Sequence, residues 1–213
     1  MKKLPLIFIL FSLLLTPAIV FSTPIYDNTN NSLFMNLYTT GQVGDEVTLA
    51  GSERLVTEFM FGYINANVTG NEKARIRFYL NDGEDGKPKT LLKDLGSYPL
   101  QANKSDNDLI ITGLNILIPG NTFTWTVEWE DFKVEGEKLY LPAYRLFNPP
   151  TIGSSGDFIW QYSEGLGWGK IDTLYIDNLK AQIKAEPVPE PGILILLGIS
   201  MASIVGLKRW WKD

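Results

Sequence analysis

The chain has 213 residues and a net charge of −5, with 45% hydrophobic and 20% charged residues, a composition typical of a folded protein. It contains no histidine and no cysteine, which excludes Ser-His-Asp and Cys-His catalytic systems, His/Cys zinc sites, haem ligation, iron–sulfur clusters and disulfides. A pI near 4.9 disfavours binding to the phosphate backbone of nucleic acids.

Residues 1–22 have the organisation of a secretory signal peptide. Lys2 and Lys3 provide a positive start, an apolar run follows from residue 4 to residue 15, and Val20 and Ser22 suit a cleavage point after Ser22. A spanning helix needs about 20 apolar residues, and this run is shorter. Export followed by cleavage is therefore favoured over the alternative, a permanent N-terminal membrane anchor.

Residues 23–186 are predicted to form one all-β domain. Turn signals such as Asn81-Asp82-Gly83 and Pro119-Gly120-Asn121 separate short runs that alternate in polarity or are continuously apolar. The predicted strands are 33–39, 46–50, 55–64, 74–80, 109–118, 122–129, 138–143, 157–162 and 171–183. Eight to ten short strands without a capped helical pattern predict an antiparallel two-sheet sandwich with a jelly-roll-like arrangement.

The segment 122–129 has the clearest alternation in the chain. One face is apolar and is predicted to be buried, and it consists of Phe123, Trp125, Val127 and Trp129. The other face carries threonines and Glu128 and is predicted to be solvated. Glu128 and Glu130 lie on that face about 7 Å apart, which is a carboxylate spacing that a glycosidase can use. A solvated polar face is the simpler interpretation.

The loop 81–86 concentrates oxygen ligands between two strand-like runs. Asn81, Asp82, Glu84 and Asp85 have the hard donor atoms that Ca²⁺ prefers, although their spacing differs from that of an EF-hand. An ordinary hairpin loop with glycine at positive φ is the favoured alternative. No other cofactor is expected.

Aromatic residues are numerous, with 6 Trp, 9 Tyr and 11 Phe. Trp168 is flanked by Gly167 and Gly169, and Gly165 lies three residues before it. These glycines would leave its ring accessible as a platform for a sugar. Trp160, in an apolar run, is predicted to lie in the core. The aromatic residues as a group can serve either of two roles, packing in the core or forming a ligand-binding surface.

The last 27 residues form a three-part tail. Prolines 187, 189 and 191 keep the first part extended. An uncharged apolar segment follows from residue 192 to residue 207, and two tryptophans at its end suit a membrane interface. Lys208, Arg209 and Lys212 then predict a cytoplasmic C-terminus. The alternative, a buried core helix, would require a polar face and caps.

The tail resembles the PEP-CTERM sorting signal of Gram-negative bacteria through Val188, Pro189, Glu190 and Pro191, the apolar segment and the basic cluster. The body resembles the β-sandwich domains that often precede this signal. The matching segments are Tyr26-Asp27-Asn28, residues 44–51, residues 77–83 and Trp160-Gln161-Tyr162.

The resemblance implies a protein that the Sec machinery exports and that its tail holds in the inner membrane for a time. An exosortase would then cleave it near the Pro-Glu-Pro segment, and it would pass to the cell surface or extracellular matrix. The expected domains are a signal peptide (1–22), a β-sandwich (23–186) and a sorting tail (187–213). The predicted function is that of a non-catalytic surface or matrix protein, associated with polysaccharide. The alternative is a secreted carbohydrate-active enzyme that uses acidic residues.

Overall fold

The computed structural model of the chain describes residues 21–65, 70–102, 104–171 and 178–188. Within these ranges the chain forms fifteen strands and one 3-10 turn at Glu84–Gly86, and no α-helix. The strands are β1 (Thr23–Asp27), β2 (Ser32–Leu37), β3 (Gln42–Thr48), β4 (Leu55–Asn65), β5 (Lys73–Tyr79), β6 (Leu91–Pro99), β7 (Lys104–Leu117), β8 (Thr122–Glu130), β9 (Lys133–Glu135), β10 (Lys138–Tyr140), β11 (Ala143–Phe147), β12 (Ser154–Ser163), β13 (Gly167–Ile171), β14 (Asn178–Leu179) and β15 (Ala181–Glu186).

The strands form two antiparallel sheets and a separate β9–β10 hairpin. The first sheet has seven strands in the order β1-β15-β4-β11-β14, with β2 beside β11 and β7 beside β4. The second sheet has six strands in the order β13-β12-β3-β8-β5-β6. The prediction of an all-β antiparallel fold is thus confirmed.

The two sheets pack through an aromatic core. The alternation in β8 places Phe123, Trp125, Val127 and Trp129 on the inner side of the six-stranded sheet, and all four are buried, as predicted. Phe59 and Phe61 of β4 approach from the other sheet, and the ring centroids of Phe59 and Trp125 are 5.1 Å apart. Burial of such rings stabilises the fold by about 25 cal/mol per Å² of apolar surface removed from water.

Polar contacts also cross between the sheets, and two of them involve β8 and β3. Tyr144 of β11 donates a hydrogen bond of 3.0 Å to the carbonyl of Val127 in β8. Asp45 of β3 is fully buried, and its Oδ2 accepts a hydrogen bond of 3.1 Å from the Leu179 N–H in β14. Burial raises the pKa of Asp45 well above its usual value, against the lowering effect of the Leu179 hydrogen bond.

Several strand predictions differ from the structure. The strands β1, β6, β9 and β13 were not predicted, because they are short or rich in Gly, Pro and charged residues. The predicted strand 138–143 is two strands, since Leu141 and Pro142 separate β10 from β11. Segment 171–183 is not one strand either, because Lys180 lies between β14 and β15.

The outer side of the six-stranded sheet is less exposed than the alternation predicts. Thr124 and Thr126 were expected to be solvated, yet both are fully buried. Trp160 is buried as predicted, but it pairs with Gly44 in register and therefore lies on the outer side of the sheet. A polar and aromatic layer must cover these residues.

Both ends of the described body lie at one end of the sandwich. Thr23 of β1 pairs with Ala185 of β15, and the Ala50 N–H donates a hydrogen bond to the Ile25 carbonyl just beyond the Thr48 end of β3. Gln42, at the other end of β3, is about 20 Å from Thr48 at 3.3 Å per residue. Both predicted targeting segments therefore adjoin the same end of the body.

The predicted targeting segments themselves are mostly outside the described residues. These undescribed parts are residues 1–20 of the signal peptide, Pro189, Glu190 and Pro191 of the motif, the apolar segment 192–207, and Lys208, Arg209 and Lys212. Val188 is described and exposed. In the described ranges, no helix is long and apolar enough to cross a membrane.

Candidate functional site

The outer side of the six-stranded sheet carries most of the polar and aromatic residues that the core does not use. Register pairs Gln42 with Glu128, Arg77 with Thr126, and Tyr162 with both Gln42 and Trp168. Paired residues in an antiparallel sheet point to the same side. Side chains from five neighbouring strands therefore share this face.

The face is concave. Tyr79 of β5 and Trp168 of β13 are four strand spacings apart, which is about 19 Å in a flat sheet. Their ring centroids are only 5.6 Å apart, and the rings meet edge to face. The sheet therefore curls toward its outer side until the two side chains meet above the strands between them.

A third aromatic ring extends this contact. Tyr162 of β12 lies beside Trp168, with ring centroids 5.3 Å apart and an interplanar angle of 63°. We call Tyr79, Tyr162 and Trp168 the groove aromatics. Tyr162 is exposed and Trp168 is half-buried, so the groove aromatics keep part of their surface in solvent.

A hydrogen-bonded floor lies beneath the groove aromatics. The Gln42 side-chain amide donates hydrogen bonds of 3.1 Å to the Tyr79 hydroxyl and 2.5 Å to Thr126 Oγ1. Thr124 Oγ1 donates a hydrogen bond of 2.7 Å to Asn81 Oδ1. These bonds explain how the two threonines are buried without a polar penalty.

Gly44 allows the floor to lie close to the strand. A Cβ atom at this position would lie 2.6 Å from Thr126 Cγ2 and 2.7 Å from the Trp125 carbonyl oxygen, and both distances are too short for a real contact. Any larger residue would displace the floor.

A groove of about 650 Å³ opens at the Gln42 end of this face. Its lining combines the groove aromatics with polar and charged side chains, and consists of Gly41, Gln42, Arg77, Tyr79, Lys89, Glu128, Tyr162, Glu164 and Trp168. From the Gln42 end the groove runs along the face to Tyr79 and Lys89, since Tyr79 pairs with Thr124 and Thr124 with Glu46, near the Thr48 end of β3.

Ion pairs organise one wall of the groove. Arg77 contacts Glu128 at 2.7 Å and Asp94 at 3.3 Å, while Arg75 contacts Asp94 at 2.8 Å and Glu130 at 3.8 Å. Burial alone would raise the pKa of Asp94, but hydrogen bonds from Arg75 and the Gly96 N–H hold it below its usual value. The ion pairs form a row of alternating charges, of which Arg77 and Glu128 line the groove.

The paired carboxylates predicted from the sequence belong to this row. Glu128 and Glu130 share a face, as the alternation indicates, but each contacts an arginine, Arg77 and Arg75 respectively. Only Glu128 lines the groove. This arrangement adds nothing in favour of the enzyme alternative.

The acidic loop forms a hairpin connection between β5 and β6. Gly86 has a φ of 72°, as expected for a hairpin glycine, and Asp85 also has positive φ, at 55°. Asn81 accepts its hydrogen bond from Thr124, and both Asp82 oxygens accept hydrogen bonds from Thr90, which lowers the pKa of Asp82. In the described ranges no group of three or more acidic side chains is placed to hold a metal ion.

The sequence pointed to two members of the groove lining, Trp168 as a ligand contact and Glu128 as one of two paired carboxylates. It did not single out Arg77, Tyr79 or Gln42. A signal was present in β5, where the polar positions Lys73, Arg75, Arg77 and Tyr79 alternate with buried ones. Which of these would meet Trp168 depends on the curl of the sheet, which the alternation does not specify.

No protein-family model matches this chain, and neither a curated protein nor a solved structure is significantly similar to it. Geometry and chemistry therefore carry the functional argument.

Proposed function

We propose that this protein is an exported, non-catalytic polysaccharide-binding protein with a jelly-roll-like sandwich, and that the groove is its binding site. The observation that carries the proposal is Trp168, a half-buried indole in the groove lining that contacts the rings of Tyr79 and Tyr162. An aromatic ring that is fixed in place and partly in solvent provides an apolar platform for a pyranose face.

The rest of the groove supplies the polar half of such a site. Sugar hydroxyls need donors and acceptors beside the apolar platform, and Gln42, the Tyr79 hydroxyl and Glu128 line the same space. Gln42 and Tyr79 are already hydrogen-bonded to each other. Fixed side chains lose little conformational entropy on binding.

The position of the groove agrees with display from a membrane. If the predicted signal peptide and sorting tail direct both ends of the body toward the membrane, the Gln42 end of the groove faces outward. A body that its tail still holds could thus bind an extracellular polymer before exosortase cleavage. Sec export, processing and transfer to the surface or matrix are part of the same proposal.

Binding is tested with the full chain in mild detergent and a panel of soluble polysaccharides. Trp168→Ala should weaken binding at least about tenfold, the equivalent of 1.4 kcal/mol. The control is Phe34→Ala, which removes a ring that is 89% exposed on β2 in the other sheet and should leave affinity unchanged. The proposal is wrong if no polysaccharide binds, or if Trp168→Ala binds as tightly as the parent.

Sorting is tested in a host that has an exosortase. Glu190→Ala should leave the full-length form in the inner membrane, because the resemblance places cleavage at the Pro-Glu-Pro segment. Release of this variant at the parental rate would contradict the sorting proposal and leave the binding proposal intact.

A further inference from the structure

We infer that the groove selects an electrically neutral polysaccharide over an anionic one. The inference rests on the proposed function and specifies its ligand class.

The charged side chains that line the groove balance each other. Arg77 and Lys89 contribute two positive charges, and Glu128 and Glu164 contribute two negative ones. A uronic acid or sulfate group would therefore enter a site with no net positive charge. It would also approach two carboxylates, and like charges in close contact raise the free energy of the complex.

Arg77 is already committed to carboxylates of the protein. Its Nη1 contacts Glu128 at 2.7 Å and its Nε contacts Asp94 at 3.3 Å, and its side chain is only 14% exposed. An anionic sugar would have to displace one of these carboxylates and leave it unpaired. Exchange of one carboxylate for another brings little gain, because the guanidinium fork serves either equally well.

Lys89 is the other cation of the groove, and it too lies near an acid. Its charge contributes to the lowered pKa of Asp82 in the same hairpin. Lys89 is also exposed, so a contact with an anionic sugar would be weakened by solvent and salt.

The body as a whole repels polyanions. Five of the 19 lysines and arginines lie in the two ends of the chain, so residues 23–186 carry 14 of them against 22 aspartates and glutamates. A polyanion therefore approaches a body that is more acidic than the whole chain. This repulsion acts over about 10 Å at 0.1 M salt and adds to the balance inside the groove.

Neutral sugars avoid repulsion both by the groove carboxylates and by the acidic body, and they can donate hydrogen bonds to the same carboxylates. A sugar hydroxyl is a donor, and the ionised Glu128 and Glu164 are acceptors with free lone-pair sites. Glu128 can accept such a bond while it contacts Arg77, since a carboxylate has about four lone-pair directions. The acids of the groove thus favour hydroxyls and disfavour carboxylates or sulfates.

Polymer pairs that share a backbone and differ in charge test the inference. We would compare hydroxyethyl cellulose with carboxymethyl cellulose, and fully methyl-esterified with de-esterified polygalacturonate, using the full chain in mild detergent. In each pair that binds, the neutral member should bind at least about tenfold tighter at low salt. Its affinity should change less than about twofold between 20 and 500 mM NaCl.

The outcomes separate the two proposals. Equal or tighter binding of the anionic members overturns the inference and leaves the proposed function standing. If no polymer of either charge binds, in these pairs or in the wider panel, the proposed function is overturned and the inference with it.

A charge variant provides a second test. The double substitution Glu128→Gln with Glu164→Gln gives the groove a net charge of two positive units and should raise affinity for the anionic members about tenfold or more. High salt should remove that gain. The control is Glu84→Gln, an exposed acid in the hairpin loop that is not part of the groove lining, and it should leave selectivity unchanged. No gain in the double variant would contradict the inference.

Discussion

The core aromatic residues and the groove aromatics lie on opposite sides of the same sheet and differ in what surrounds their rings. In β5, Phe78 points inward and its ring lies 5.2 Å from that of Phe59, while its neighbour Tyr79 points outward to Trp168. Phe78 is fully buried, whereas Tyr79 is half-buried and has a hydroxyl that accepts a hydrogen bond from Gln42.

The difference shows how one alternating pattern can build two kinds of aromatic surface. Rings between two sheets are covered by apolar partners and contribute mainly to the free energy of unfolding. The groove aromatics contact one another and a polar floor. Part of their surface therefore stays available to a ligand.

The largest expected effect distinguishes Trp125 from Trp168. Trp125→Ala should lower the free energy of unfolding by about 3 to 5 kcal/mol, because it leaves a cavity beside Phe59 and Phe61. Trp168→Ala should cost less than about 1.5 kcal/mol, because its ring is half-exposed and no second sheet covers it. Urea melts of both variants measure this difference. Equal losses in the free energy of unfolding would show that the groove aromatics stabilise the fold as much as the core aromatic residues do.

The next effect concerns the buried acid Asp45, which lies among the core residues. The folded protein keeps the Asp45 proton to a higher pH than the unfolded chain, since burial raises its pKa. The free energy of unfolding should therefore fall as the pH rises from about 4 toward the folded-state pKa, by about 1.4 kcal/mol per pH unit. Asp45→Asn should remove this fall.

Urea melts from pH 4 to pH 8 compare Asp45→Asn with the parent. The difference in stability should grow with pH in favour of the variant. The asparagine Oδ1 can still accept the Leu179 N–H, so the cross-sheet contact survives. Asp82 and Asp94 have lowered pKa values, so their contributions to the free energy of unfolding fall as the pH falls. These contributions are the same in both proteins and cancel in the comparison. Parallel curves for the two proteins would show that Asp45 does not titrate with folding.

A smaller effect is expected at Glu128, on the groove side of β8. Its contact with Arg77 is a partly exposed ion pair, with the Glu128 side chain 37% exposed. Pairs of this kind contribute about 0.2 to 1 kcal/mol. Glu128→Ala should thus lower the free energy of unfolding by less than about 1 kcal/mol, and Arg77 keeps Asp94 as a partner. A loss close to that of Trp125→Ala would place Glu128 among the core residues.

The smallest expected effect is that of calcium. The oxygens of Asn81 and Asp82 already accept hydrogen bonds from Thr124 and Thr90, so an ion would compete with these donors for the same oxygens. Millimolar CaCl2 should shift the melting temperature by less than about 1 °C relative to EDTA, since a ligand stabilises only when its concentration exceeds its Kd. A larger rise that Asp82→Asn abolishes would support the calcium prediction.

The predictability of the fold follows the length and regularity of each strand. The strand β8 was predicted almost to the residue, because alternation over nine residues leaves one arrangement that buries the rings and exposes the carboxylates. By contrast, β6 was not predicted, because the segment from Leu91 to Pro99 has no sustained pattern and pairs through irregular register with β5. Neighbouring strands, more than local preference, hold such a segment.

The sequence by itself determined which His- and Cys-dependent sites are excluded, the all-β class, and which residues of β8 face inward. These follow from residue types and from the period of two along a strand, which are local properties. Its targeting segments stay predictions.

Only the tertiary structure decided that Tyr79 and Trp168 would meet, that Gln42 and two threonines would lie beneath them, and that Arg77 would be held by two acids. Those contacts join residues from strands far apart in sequence. They depend on strand order and on the curl of the six-stranded sheet, and a pattern within one strand contains no information on either.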